Sequence, residues 1–274
     1  MPACLRVSLP VGLIAANGAA AAREIGLRPL TGADELLVQE AMAAGAPRAA
    51  TTTELLGGCM AEPGEAAAED LCVGDREALL LHLRRAAFGE RIEAVVACPR
   101  CQERLDLELR TSDLLLPPGE AGRARFEVSV EADGAGWRTV LRRVTGADQQ
   151  AVLGAENPAA ALLRRCVVEL VRDDGVAWPV EDITDELARA LDEALRHSDP
   201  QAEIRLDLAC PACGHAFTAP FDPTAQLFAE LAAESDLLLR EVAAIARAFH
   251  WRERDILALP RGRRRAYATL AVAR

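Results

Sequence analysis

The sequence of 274 residues has no lysine; all 31 of its basic side chains are arginine. With abundant Ala, this reads as a GC-rich coding bias rather than as mechanism. Aromatic residues are scarce too, at 4%. A core must therefore be built from Leu, Val, Ile and Ala, and 51% apolar residues suffice for one. No apolar run is long enough to cross a bilayer, because Gly12, Asn17 and Gly18 break the Ala-rich stretch from Pro10 to Ala22. The opening Met1-Pro2-Ala3-Cys4-Leu5-Arg6 lacks a cationic segment followed by an apolar one. A cytoplasmic, reducing setting is expected, where paired cysteines are metal ligands sooner than disulfides. Net positive charge is also missing. The chain carries −11, which counts against a nucleic-acid partner.

Catalytic signatures are absent as well. The sequence has no P-loop, Gly-x-Gly-x-x-Gly fingerprint, His-Glu-x-x-His helix or Ser elbow. The acidic groups Asp182, Asp185, Glu186 and Glu65, Glu69, Asp70 read as solvated faces or linker, and His82, His197 and His250 stand alone. The expectation is a protein that is not an enzyme.

What the sequence does contain is its own copy. Leu27-Arg28-Pro29-Leu30-Thr31-Gly32-Ala33-Asp34 aligns with Leu141-Arg142-Arg143-Val144-Thr145-Gly146-Ala147-Asp148 at an offset of 114. Leu55–Cys59 falls over Leu162–Cys166 at 107, Val73–Leu79 over Ile183–Arg189 at 110, and Cys98–Cys101 over Cys210–Cys213 at 112. Four landmarks in one order imply a duplicated unit. Alternation predicts strands at Leu5–Leu9 and Phe126–Val130, each followed by a second strand (Glu24–Leu30, Trp137–Val144). Both hairpins run into Thr-Gly-Ala-Asp, whose Thr or Asp can cap a helix from about Ala33 or Ala147. A second helix is expected over Leu55–Cys59 or Ala160–Val171, and a third from Asp75 or Asp185. Strands Ile92–Ala97 and Arg104–Leu109 flank the first cysteine pair, and Ile204–Ala209 and Ala216–Phe221 the second. Met60–Asp70 and Pro117–Glu120 read as linkers. The expected fold is α+β: two tandem diverged copies of a hairpin–helices–knuckle unit, residues 1–118 and 119–229, and a basic helical tail, 230–274.

Of eight cysteines, only Cys98/Cys101 and Cys210/Cys213 have ligand spacing, each as Cys-Pro-x-Cys between strands. Tetrahedral zinc needs four thiolates, and one knuckle supplies two. Because 108 residues separate the pairs, the expected site is a single structural Zn2+ clasping the two copies. A redox dithiol would require the first Cys to open a helix. His215 could replace a ligand, though an outer position suits it better. Cys59 and Cys166 fit core packing; Cys4 and Cys72 have no partner.

The tail differs. Nine Arg against three acids give residues 240–274 a charge of +6, leaving −17 on the rest. Leu238, Val242, Ile245 and Phe249 make one helical stripe after a cap at Ser235 or Asp236, and Pro260 divides two helices. Trp251 and Tyr267 beside Arg261, Arg263, Arg264 and Arg265 are the residue types that anchor interfaces, so the tail is a candidate partner surface. Packing of the tail on its own body is the competing reading.

Together Leu27–Gly32, Val73–Leu81, Phe88-Gly89, Cys98–Cys101, Phe249–Trp251 and Ile256–Pro260 resemble the baseplate-protein family of contractile-tailed phages and contractile injection systems, which includes baseplate hub assembly chaperones. The resemblance implies a non-enzymatic baseplate part or assembly factor whose partners are other baseplate or tail proteins. The second copy departs from it, with Thr184-Asp185-Glu186-Leu187 replacing Gly74-Asp75-Arg76-Glu77, which puts any contact by Arg76 in doubt there. The alternative is a zinc ribbon serving nucleic acid or the transcription and translation machinery.

Overall fold

A computed structural model describes residues 4–14, 20–61, 67–118 and 123–272. Parts of both expected linkers, residues 62–66 and 119–120, lie outside these. The chain is a mixed α+β structure of small antiparallel sheets and helices.

In the first half β1 (Leu5–Ile14) pairs with β2 (Ala20–Leu27), with Val7 opposite Ile25 and both buried. The strand β2 stops at Leu27, short of the expected Leu30. There Arg28 turns to form a two-pronged ion pair with Asp34, at 2.6 and 2.9 Å. Thr31 and Asp34 close a reciprocal capping box on α1 (Gly32–Ala43). The second half repeats this. The strands β5 (Arg125–Ala132) and β6 (Ala135–Arg142) lead to Arg142, which grips Asp148, and Thr145 and Asp148 box the start of α5 (Gly146–Ala151).

The helices α2 (Arg48–Cys59) and α6 (Pro158–Cys166) follow. The helix expected through Val171 ends at Cys166. Val167–Arg172 is instead β7, the third strand of the β5–β6–β7 sheet. Its Val-Val-x-Leu-Val run suits the pleated face, where Val167 and Leu170 are buried. At the matching place in the first half, Met60 makes a single bridge to Leu27.

The helix α3 (Val73–Phe88) packs on β1 as α7 (Asp185–Ser198) packs on β5. Asp75 lies in the first turn of α3 rather than at its cap. Its carboxylate accepts from the backbone N–H groups of Val11 and Gly12, fixing the bend of β1 at 2.9 and 3.0 Å. Gly12 has φ +98°, and a Cβ there would meet the Ala22 carbonyl at 2.9 Å, so glycine is required. Two hairpins come next: β3 (Arg91–Ala97) with β4 (Arg104–Arg110), then β8 (Ile204–Ala209) with β9 (Ala216–Phe221). The short α4 (Thr111–Leu114) leaves the first hairpin and α8 (Pro223–Ala233) leaves the second. The tail is α9 (Ser235–Phe249), α10 (Glu253–Leu257) and α11 (Arg261–Val272). Glu234 rather than Ser235 or Asp236 precedes α9, and no side chain caps it.

Each half has its own apolar centre. The first gathers Leu27, Val38, Leu55, Leu79 and Leu83, and α8 completes it with Leu227, Phe228 and Leu231. The helix α8 runs across position 229/230, and it serves the first half although it follows the second. The second centre gathers Trp137, Leu141, Leu170, Leu187 and Leu191, with Trp178 edge-on to Trp137 at 5.4 Å. Leu81, Ile92, Leu114 and Phe221 bridge the hairpins.

Candidate metal centre

The two short hairpins carry equivalent turns. The Cys98 N–H donates to the Glu103 carbonyl at 2.8 Å and its carbonyl accepts from the Gln102 N–H. The Cys210 N–H donates to the His215 carbonyl, and its carbonyl accepts from Gly214. Gln102 and Gly214 both have positive φ, +62° and +68°, so each turn closes through a left-handed residue. This bond pattern curls the chain around the first sulfur of each pair and leaves both sulfurs facing the other hairpin.

The four thiols meet there. All Sγ atoms lie within 4.8 Å of one another, the only such group of three or more metal-ligating side chains among the described residues. Cys98 Sγ lies 3.8 Å from Cys213 Sγ, and Cys101 Sγ lies 3.6 Å from Cys210 Sγ. A tetrahedral zinc with Zn–S bonds of about 2.3 Å requires S···S separations of about 3.8 Å. The donor set therefore fits a tetrahedral, thiophilic metal such as zinc. Cys98 and Cys210 are buried beside Leu105 and partly covered by Leu107 and Phe217. Burial raises the Cys98 thiol, but the N–H groups of Cys101 and Arg100 outweigh it and bring it down to about 7. Four thiolates fill a tetrahedron, so this arrangement offers no open position for a reacting water.

The remaining cysteines and His215 stand apart. The His215 ring stacks near Phe217 with centroids 6.1 Å apart. Cys59 and Cys166 occupy matching buried positions at the ends of α2 and α6, where burial pushes their thiols up to about 12 and 11. Cys72 caps α3 beside Asp75 and Asp199, and burial raises it strongly. Cys4 is exposed.

The tail arginines divide in two. Arg261 and Arg264 turn inward. Arg264 binds both oxygens of Glu35 at 2.9 Å and Glu241 at 2.8 Å, and Arg261 binds Glu35 at 2.9 Å and pairs with Glu234. Glu35 and Arg264 are each 1% exposed. Burial draws the Arg261 guanidinium down against the pull of Glu35. Arg261 also stacks over Phe88 at 4.3 Å. The packing of the tail on its own body, held open from the sequence, thus accounts for these two arginines. Arg263 stays exposed and lies over Tyr267, Arg265 is half-buried against Glu234, and Trp251 meets Tyr267 at 4.8 Å on the surface. Sequence reasoning passed over Glu35 and Glu241. The signal was there for Glu241, a charge set in the apolar stripe Leu238–Val242–Ile245, which asks for a buried partner. Arg76, carried by the resemblance, is buried as well and donates to the carbonyls of Ala68 and Ala49 and to the Thr53 hydroxyl.

Among the described residues no helix is long and apolar enough to cross a membrane. In comparisons with known proteins, no curated protein and no solved structure matches the chain. A family model described as T4 bacteriophage base plate protein matches residues 14–229, more than three-quarters of the sequence.

Proposed function

The chain belongs to the T4 bacteriophage base plate protein family, and from that premise we propose that it is a non-enzymatic structural or assembly protein of a phage-tail-like contractile apparatus. It acts in the cytoplasm, as a baseplate component or as a chaperone of hub assembly, and its partners are other baseplate or tail proteins. The family match over residues 14–229 carries this reading.

In this proposal Cys98, Cys101, Cys210 and Cys213 hold one structural Zn2+, supported by the sulfur spacing above. The chain's own part is to present four sulfurs from two rigid hairpins and to exclude water from Cys98 and Cys210. The metal supplies a cross-link whose binding energy becomes folding energy. We read the halves, 1–118 and 119–229, as products of duplication. The paired capping boxes, the matching Cys59 and Cys166, and the common seats of α3 and α7 support that reading. The tail, 230–274, offers Trp251, Arg263 and Tyr267 outward as the partner surface, with Arg265 at its edge.

The test is a deletion of the gene in its host, complemented by the wild type, by Cys98→Ser/Cys210→Ser, or by Trp251→Ala/Arg263→Glu. Deletion should abolish assembled baseplates, and both variants should restore them poorly. Mass spectrometry of purified particles then separates a resident component from a chaperone, which would be found only in intermediates. Normal particle yield after deletion refutes the reading.

A further inference from the structure

The two Thr-Gly-Ala-Asp loops are not free. Each receives the start of a helix from elsewhere in the chain, and the same main-chain pairings recur in both dockings, with one further bond, Ala147 N–H to the Glu69 carbonyl, in the second. In the second half Thr145 bridges Cys72, the Gly146 N–H donates to the Leu71 carbonyl at 3.2 Å, and the Val73 N–H donates to the Val144 carbonyl at 3.0 Å. In the first half Thr31 bridges Pro260, the Gly32 N–H donates to the Leu259 carbonyl at 3.3 Å, and the Arg261 N–H donates to the Leu30 carbonyl at 3.1 Å. A guanidinium then crosses each glycine. A Cβ at Gly146 would lie 2.2 Å from Arg76 Nη1, and one at Gly32 would lie 2.8 Å from Arg264 Nη1.

The docked segments are therefore one motif used twice, at a constant offset of 188. Leu71, Gly74, Arg76 and Ala78 recur as Leu259, Gly262, Arg264 and Ala266. The tail begins α11 with a second version of the start of α3, which ordinary comparison of the halves misses because it lies outside both. The sockets differ in one decisive side chain. The position after Asp34 is Glu35, which binds Arg261 and Arg264; the position after Asp148 is Gln149, a neutral amide. Both plugs keep the arginine that crosses the glycine, Arg76 or Arg264, but Arg261, which meets Glu35, is replaced by Val73 where the socket has Gln149, so the extra charge pair belongs to one docking alone.

We propose that Leu30–Glu35 is a docking socket for a helix start of the pattern Leu-x-Arg-Gly-x-Arg, closed in this chain by its own tail and able to take the same segment from a second copy of the chain. The first-half socket is filled by a segment that reaches it only through α9, and α9, α10 and α11 form a cluster of their own to which Leu36 of α1 is added. Recognition by backbone bonds and two guanidiniums does not depend on which chain supplies the plug. The tethered plug wins in a dilute monomer because its effective concentration is high, on the order of millimolar. Crowding of copies, or release of the tail, favours exchange. The inference stands apart from the metal reading, since none of these contacts involves a cysteine sulfur.

The experiment uses two full-length variants. Glu35→Arg spoils the socket and keeps the plug; Arg261→Glu/Arg264→Glu spoils the plug and keeps the socket. Each alone should be monomeric by native mass spectrometry, near 29.3 kDa. Mixed, they should form a heterodimer of twice that mass. Two folded variants that stay monomeric when mixed overturn the proposal, as do dimers formed equally well by either alone. Should circular dichroism show a variant unfolded, a labelled peptide of residues 253–272 is titrated onto the milder Arg264→Met chain. Saturable binding that an Arg264→Glu peptide lacks supports the socket, and no binding by the wild-type peptide overturns it.

Discussion

Removing the proposed metal has a consequence whose size follows from the loop it closes. Sulfurs at 101 and 210 enclose about 110 residues. Cross-linking a loop of that length lowers the entropy of the unfolded chain by roughly 16 cal/mol/K. A 274-residue chain gains about 575 cal/mol/K on unfolding near 60 °C. Multiplied by a melting temperature of about 333 K, the ratio gives a fall in melting temperature of about 9 °C on chelation. This counts loop closure alone, and the binding free energy of the metal adds to it. Calorimetry with and without a chelator measures it, and native mass spectrometry counts the metal. The expected stoichiometry is one zinc per chain. Cys98→Ser, Cys210→Ser and the double variant should all melt together, since losing any one thiolate opens the tetrahedron. Protein purified under reducing conditions with no bound zinc refutes the reasoning. So does a double variant whose loss is the sum of the two single losses.

Glu77 is buried against the Thr224 hydroxyl, and burial raises its carboxyl to about 7. The folded chain therefore holds a proton that the unfolded chain releases near pH 4.5, and stability falls as pH climbs from 4.5 to 7. Glu77→Gln should stabilise the protein at pH 8 by up to about 3 kcal/mol and lose that advantage at pH 4, as urea titrations at the two pH values will read. Gly146→Ala places a methyl in the path of a guanidinium held by three hydrogen bonds, so a loss of about 1–3 kcal/mol is expected in the same assay. Leu191→Ala on α7 opens the centre of the second half, where the side chain is fully buried, at about 2–5 kcal/mol. Glu35→Ala strips two buried arginines of a shared carboxylate. It should cost about 3 kcal/mol and admit protease between Trp251 and Arg265, seen as early cleavage there on a gel.

Local chemistry made much of this molecule readable in advance. The strands flanking each cysteine pair run where alternation places them, because both hairpins are two-stranded and half-exposed, the case in which period two is clearest. The capping boxes were legible because Thr and Asp at that spacing have one strong use. The strand at Val167–Arg172 was not, since an apolar run of that length fits a buried helix as well, and only pairing to β6 decides it. The destinations of Arg261 and Arg264 were hidden for a different reason. Four arginines close together read as a solvated patch until Glu35, more than two hundred residues earlier, is folded onto them.

The seat of α8 against the first half bears on how the protein is made. Leu227, Phe228 and Leu231 finish a core begun by Val7 and Leu27, and the socket at Gly32 is covered later still, by Leu259 to Arg264. A ribosome moving at roughly 5–20 residues per second needs roughly 7–30 s to travel from the end of α3 to Leu231. Throughout that interval the earliest-made residues of the nascent polypeptide have an unfinished greasy face, and they settle only after the second half has emerged. Holding factors that shelter such faces during translation would meet this chain at its N-terminal half, and a stall before codon 231 would leave that half without its closing helix.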